Sequence, residues 1–188
     1  RAIQVLQEQG VEIDFNDVIE ITRKSKTGGD ATPYYRRVVY WMTQYNCYTD
    51  ASTLKHLDIP RSGIAAVTVN LDFNRMEKSV AQFLDSSNNI YAELRAMHLG
   101  ISTCLNLLCE DDLLRICSDC QPAIDMVESG NKVKSNETNR ILSRIDKSIS
   151  YIPCDIQFQW VKSHSNHPAN DFADMLAYSH AQGHPYDD

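Results

Sequence analysis

Four carboxylates and one histidine-rich loop are the groups in this chain whose types and order can do chemistry. Asp50 closes the run YNCYTD, Asp119 closes LLRICSD, Glu93 lies in the first turns of an amphipathic segment, and Asp174 lies about one turn inside the helical segment that follows the loop KSHSNH. Taken singly, each has an ordinary explanation as a strand-end cap, a first-turn glutamate or a turn residue. Ends of strands and starts of helices are also where open α/β sheets gather their sites. Converging carboxylates raise one another's pKa unless hard divalent cations compensate them. Two such ions about 4 Å apart can hold a phosphodiester between an activated water and a leaving oxygen. Metal-assisted phosphodiester hydrolysis is the chemistry this pattern suggests.

The elements that must position these groups are legible from periodicity. IQFQWV, residues 156–161, is aromatic and β-branched, as a buried strand is. Pro168 suits the first position of a helix, where its missing N–H has no partner to lose. Phe172, Met175 and Leu176 form an apolar stripe, so helix is expected from Asn170 or Asp171 onward. Asp171 reads as a first-turn acid favoured by the helix dipole. Asp174 falls near the apolar face, where a carboxylate is costly unless something positive meets it.

Upstream, Tyr45–Asp50, Gly63–Leu71 and Ser79–Leu84 read as three consecutive strands, hence an antiparallel meander. Asn88 or Asn89 caps a helix with the stripe Tyr91, Leu94, Met97, Ile101, Leu105 and Leu108. A short strand ends at Asp119, and a helix follows from about Pro122 to Glu128. A further helix, about Asn136 to Ser148, buries Ile141, Leu142, Ile145 and Ile149 and turns Arg140, Arg144 and Lys147 outward. The sum is an α/β mixed sheet with helices against its faces.

Composition sets the outer limits. The chain has 188 residues, 43% of them hydrophobic and 23% charged, enough for one globular domain plus some extra chain. No apolar run reaches the roughly 18 residues that a membrane span needs, and the N-terminus lacks a secretory pattern. Cys47, Cys104 and Cys117 sit within apolar segments, which points to reduced thiols and an intracellular setting, cytoplasm or nucleus. Cys117 and Cys120 form a CxxC without a second pair at zinc-ligand spacing. A net charge of −7 argues against a general nucleic-acid coat, but not against a local basic face. Residues 1–44 read as an N-terminal extension and linker: short helices around Ile3 and Leu6 and around Phe15 to Thr22, then the basic stretch RKSKTGGDATP. The catalytic domain is expected over residues 45–188. Arg1 in place of methionine suggests a piece of something longer.

The motifs YTDAS around Asp50, NNIYAELRA around Glu93, ICSDCQ around Asp119 and WVKSHSNHPANDFADMLA around His164 and Asp174 resemble the type 1 ribonuclease H family. The resemblance runs from about Tyr45 to Gln182. It implies a five-stranded mixed sheet of order 3-2-1-4-5 and hydrolysis of the RNA strand of an RNA–DNA hybrid with two Mg²⁺ or Mn²⁺ ions. It makes Asp50, Glu93, Asp119 and Asp174 the metal ligands, and His164 the group that assists proton transfer or product departure. Asn89 and Gln121 match positions that contact the hybrid through the ribose 2′-hydroxyl or base edges. Asn170 matches another position near the site. A covalently linked or associated polymerase or polyprotein is a further expected partner, and a membrane is not.

Three departures qualify the match. Ala51 stands where cellular members have glycine, and Ile90 replaces an amide side chain. The interval from Gln121 to Ile152 resembles the retroviral form and is too short for the basic helix and loop with which bacterial members grip hybrid. Arg140 and Arg144, with Lys147, Lys132 and Lys134 nearby, either replace that grip or are the solvated side of a helix. The rival reading is a ribonuclease H fold kept as a non-catalytic scaffold or nucleic-acid-binding domain; a DNA-directed integrase or junction nuclease is a third.

Overall fold

The computed structural model describes residues 42–55, 61–131, 133–163 and 167–183. The helices and linker expected before Met42, and His164, lie outside the described residues. All elements below belong to one compact unit, Thr43–Asp188.

Strands β1 (Gln44–Leu54), β2 (Arg61–Asn70) and β3 (Arg75–Leu84) form the meander; helix α1 (Asn89–Cys104) leads to β4 (Leu113–Ser118). Helices α2 (Gln121–Ser129) and α3 (Asn136–Ile149) precede β5 (Asp155–Trp160), and α4 (Pro168–Gln182) follows it. The sheet has the order β3-β2-β1-β4-β5. The β1–β2 and β2–β3 pairs are antiparallel, β1–β4 and β4–β5 parallel. The expected five-stranded mixed sheet is therefore present.

Alternation along β1 divides the core. Cys47 faces one layer, where Ala66, Leu94, Met97, Ile101, Leu114, Ile116, Ile124, Ile141 and Ile145 from the sheet, α1, α2 and α3 pack. Tyr48 faces the other, with Ala65, Val67, Cys117, Ala173, Leu176 and Ala177, so α4 covers that side of the central strands. Two glycines allow the close approach. A Cβ at Gly63 would run into the Ala177 carbonyl, and one at Gly100 would lie 2.8 Å from Cys47 Sγ and Thr49 Cγ2. At Gly63 the obstacle is helix backbone, which cannot rotate away. Gly63→Ala should cost about 1–3 kcal/mol, the range of core overpacking.

Several expected boundaries shift for physical reasons. Strand β1 runs on to Leu54, so Asp50 lies inside the strand, paired with Ala65. The parallel ladder with β4 stops at Tyr48, so the β4 edge of the strand is already open at Asp50. Strand β5 is an edge strand of alternating exposure rather than a buried one. Asn88 is the cap of α1, its Oδ1 accepting from the Tyr91 N–H at 3.2 Å. Helix α4 begins at Pro168, earlier than Asn170, with Pro168 at its start and the Asp171 N–H donating to the His167 carbonyl at 2.9 Å.

Candidate active site

Asp50, Glu93 and Asp119 meet at the end of the sheet where β4 stops. Asp50 comes from β1, Glu93 from the second turn of α1, and Asp119 from the residue after β4. Each offers one carboxylate oxygen, and these atoms lie within 4.8 Å of one another. Asp50 is 9% exposed and Glu93 8%; Asp119 is half-buried. Asp174, in the second turn of α4, reaches the same group: it acts on Asp50 through its charge and through a side-chain hydrogen bond. The sequence-predicted acids are thus brought together from four elements.

The assembly is electrostatically costly as it stands. Burial first, then the charges of Asp119 and Asp174, push the Asp50 carboxyl up to about 7 from 3.8. Burial, then Asp50 and Asp119, push Glu93 well above the usual glutamate range. Glu93 Oε2 is buried with no hydrogen-bond partner. A buried carboxylate oxygen without a donor is among the most expensive groups a fold can hold. Oxygen-only donors around an unsatisfied anion are what a hard divalent cation requires, so the residues present fit Mg²⁺ or Mn²⁺.

The remaining predicted residues fall at different distances from this centre. Asn89 is the first residue of α1 and Gln121 the first of α2, both exposed. The Gln121 Nε2 donates to Asp125 Oδ1 at 2.7 Å. Asn170 is buried in the first turn of α4. Arg140 and Arg144 are exposed on the outer side of α3.

Two supports escaped sequence reasoning. Tyr48, in the strand two residues before Asp50, has its hydroxyl 2.9 Å from His167 Nε2, receives an N–H from Asn46 at 3.0 Å, and stacks on the His167 ring at 4.5 Å. This pair ties the start of α4 to β1. Asp112 is buried and accepts from the Thr43 N–H at 3.1 Å and the Cys109 N–H at 2.8 Å, joining the entry of β1 to the loop before β4. The first pair joins residues 119 positions apart and has no local signature. Asp112, in the loop CEDDL, could have been suspected as a turn aspartate.

Sheet order, helix placement and carboxylates at the open end of the central strands together define a ribonuclease H-like α/β domain. A family model for RNase H matches residues 42–182, and the chain belongs to the RNase H family. No curated protein matches it. Among solved structures the chain is similar to the N-terminal RNase H domain of a Mycobacterium tuberculosis protein, solved as a fusion with maltose-binding protein. That match has 18% identity and a TM-score of 0.63, over 76% of this chain and 96% of that one. It is similar to RNase H1 of the halophilic archaeon Halobacterium salinarum, with 14% identity and a TM-score of 0.62 over 74% of this chain and 98% of the other. It is also similar to part of the foamy viral protease–reverse transcriptase in complex with RNA/DNA hybrid, with 16% identity and a TM-score of 0.61 over 76% of this chain and 20% of that one. At these identities the likeness is one of fold. Among the described residues, no helix is long and apolar enough to cross a membrane.

Proposed function

We propose that this chain is a divalent-metal-dependent endonuclease that hydrolyses the RNA strand of RNA–DNA hybrids. The observation that carries the reading is the meeting of Asp50, Glu93 and Asp119, one carboxylate oxygen of each within 4.8 Å of the others, at a glutamate whose Oε2 is buried without a hydrogen-bond partner. Family membership directs it to hybrid, and one similar structure holds an RNA/DNA hybrid.

In this reading Asp50, Glu93, Asp119 and Asp174 hold two Mg²⁺ or Mn²⁺ ions. Such ions, when bound, supply Lewis acidity at the scissile phosphate and make water a competent nucleophile near neutral pH. The chain's own residues do the rest. The carboxylates, supplied by β1, α1, α4 and the turn after β4, form an anionic cradle assembled before substrate arrives, so little reorganisation is needed as charge develops. Asn89 and Gln121, each at a helix start beside the cluster, are placed here as contacts to the ribose 2′-hydroxyl or base edges. Gln121 turns its amide N–H₂ toward Asp125, which leaves its carbonyl oxygen to accept from a hydroxyl. Asn170 supports the same region from α4, and Arg140 and Arg144 are assigned to the phosphate backbone. His164 is assigned to proton transfer or product departure. Products carry 5′-phosphate and 3′-hydroxyl ends. A polymerase or polyprotein, joined or associated, is the partner proposed for the chain.

The test is cleavage of end-labelled hybrid, duplex DNA and duplex RNA by the same protein with Mg²⁺ and with EDTA. The reading expects cuts in the RNA strand of the hybrid, abolished by EDTA. Binding of hybrid without cleavage would instead support a scaffold, and cleavage of duplex DNA alone an integrase-like or junction nuclease.

A further inference from the structure

Asp119 is the one member of the three-carboxylate cluster that lies outside regular secondary structure. Strand β4 ends at Ser118, whose carbonyl takes the last ladder hydrogen bond from the Val161 N–H at 3.0 Å. Helix α2 starts at Gln121, and its cap residue, Cys120, makes no side-chain cap hydrogen bond. The ladder thus holds the peptide before Asp119, and the Cys120 carbonyl accepts from the Ala123 and Ile124 N–H groups, but neither ladder nor helix holds the Asp119–Cys120 peptide between them. Two side chains do. The Trp160 indole N–H donates to the Asp119 carbonyl at 3.0 Å, and the Ser118 hydroxyl oxygen accepts from the Cys120 N–H at 3.2 Å. The Asp119 carbonyl and the Cys120 N–H belong to one peptide group, so that planar unit is gripped at both ends.

Burial does not dictate the arrangement. Trp160 is 50% exposed, so water could satisfy its N–H. It sits beside Ser118 in the β4–β5 register, and that register delivers the indole to the first peptide past the strand end. With the preceding peptide held by the Val161 N–H just past β5 and the following one clamped, both planes flanking the Asp119 Cα are fixed. The direction of its Cα–Cβ bond is then fixed too.

We infer that Trp160 is a positioning residue for the metal centre: with Ser118 it clamps the Asp119–Cys120 peptide and so sets the affinity of the cluster for divalent ions. This rests on the metal-centre reading above. The ligands themselves are unchanged when the clamp is lost; what changes is how often the third carboxylate points at the other two. Losing a side chain that orients a ligand in this way typically costs about 10- to 100-fold in metal affinity.

The test is calorimetric titration of Mn²⁺ into substrate-free parent protein, Trp160→Phe and Ser118→Ala, with melting in EDTA alongside. Trp160→Phe keeps a six-membered aromatic ring at the position and removes the donor together with the five-membered ring that carries it. The expected result is a roughly 10-fold loss of Mn²⁺ affinity with a melting temperature in EDTA near that of the parent. Folded Trp160→Phe with parental Mn²⁺ affinity overturns the inference while leaving the metal centre standing. A parent that binds no Mn²⁺ overturns both. Should Trp160→Phe not fold, Ser118→Ala releases the other end of the same peptide and carries the same expectation and the same contradiction.

Discussion

The acidic end of the sheet and the basic face of α3 are both concentrations of like charge, yet the fold treats them in opposite ways. On α3, Ser135 caps the start by accepting from the Thr138 N–H, Glu137 sits in the first turn and Lys147 in the last, as the helix dipole favours. Ile141, Leu142 and Ile145 point inward, and Arg140 and Arg144 point to solvent. Solvation and helix geometry account for every charge on that face. At the acidic end, four elements bring carboxylates together, burial and mutual repulsion raise Asp50 and Glu93, and one oxygen has no partner. Nothing within the segment that carries each acid explains the convergence. A cost that the fold bears without internal compensation indicates a ligand; a charge that costs nothing does not.

The largest expected effect breaks the acidic side of this contrast. Asp50→Asn should lower single-turnover hybrid cleavage by roughly 10³-fold or more, about 4 kcal/mol, because charge that the transition state needs is lost. The same variant should melt higher than the parent in EDTA at pH 8, since it removes a repelled, buried charge. His164→Ala should cost less: roughly 10- to 100-fold in multiple-turnover rate, the range of general acid–base assistance. Its ion affinity should stay parental, as calorimetry would show.

Third comes stability against pH in the ion-free protein. The folded Asp50 pKa lies above its ordinary value, so its protonated form stabilises the fold at low pH. That contribution is lost as pH rises from about 4 through about 7, and Glu93 acts in the same direction. The melting temperature in EDTA should therefore fall across this window. Millimolar Mg²⁺ should restore it at pH 8 by binding the folded state; a melting curve indifferent to both pH and Mg²⁺ would contradict the account. The smallest effect belongs to α3. Replacing Arg140 and Arg144 by alanine should leave melting nearly unchanged and flatten the salt dependence of hybrid binding by about one log unit per lost phosphate contact. An unchanged slope returns both arginines to the solvated face.

What was legible in the sequence follows the range of the forces involved. Strand and helix periodicity exposed the sheet, because each element shows its buried face in its own residues, and the order of the acids followed from chain order. Asp50 was misplaced to a strand end because strand length depends on which neighbours continue; β2 pairs through to Leu54 although β4 does not. IQFQWV looked buried because composition cannot tell an edge strand from a central one. Supports that join distant segments, Tyr48 to His167 and Trp160 to Asp119, left no mark in local pattern. They exist only once the register of β1, β4 and β5 is set.

The central claim, that the acidic end is a divalent metal centre, is tested most directly by anomalous scattering from crystals of the parent protein soaked in Mn²⁺. The account predicts a Mn²⁺ peak bracketed by the carboxylates of Asp50, Glu93 and Asp119, a second beside Asp50 and Asp174, and loss of both in Asp50→Asn. Soaked crystals with no Mn²⁺ among these carboxylates, or with Mn²⁺ only on exposed surface acids, would contradict it.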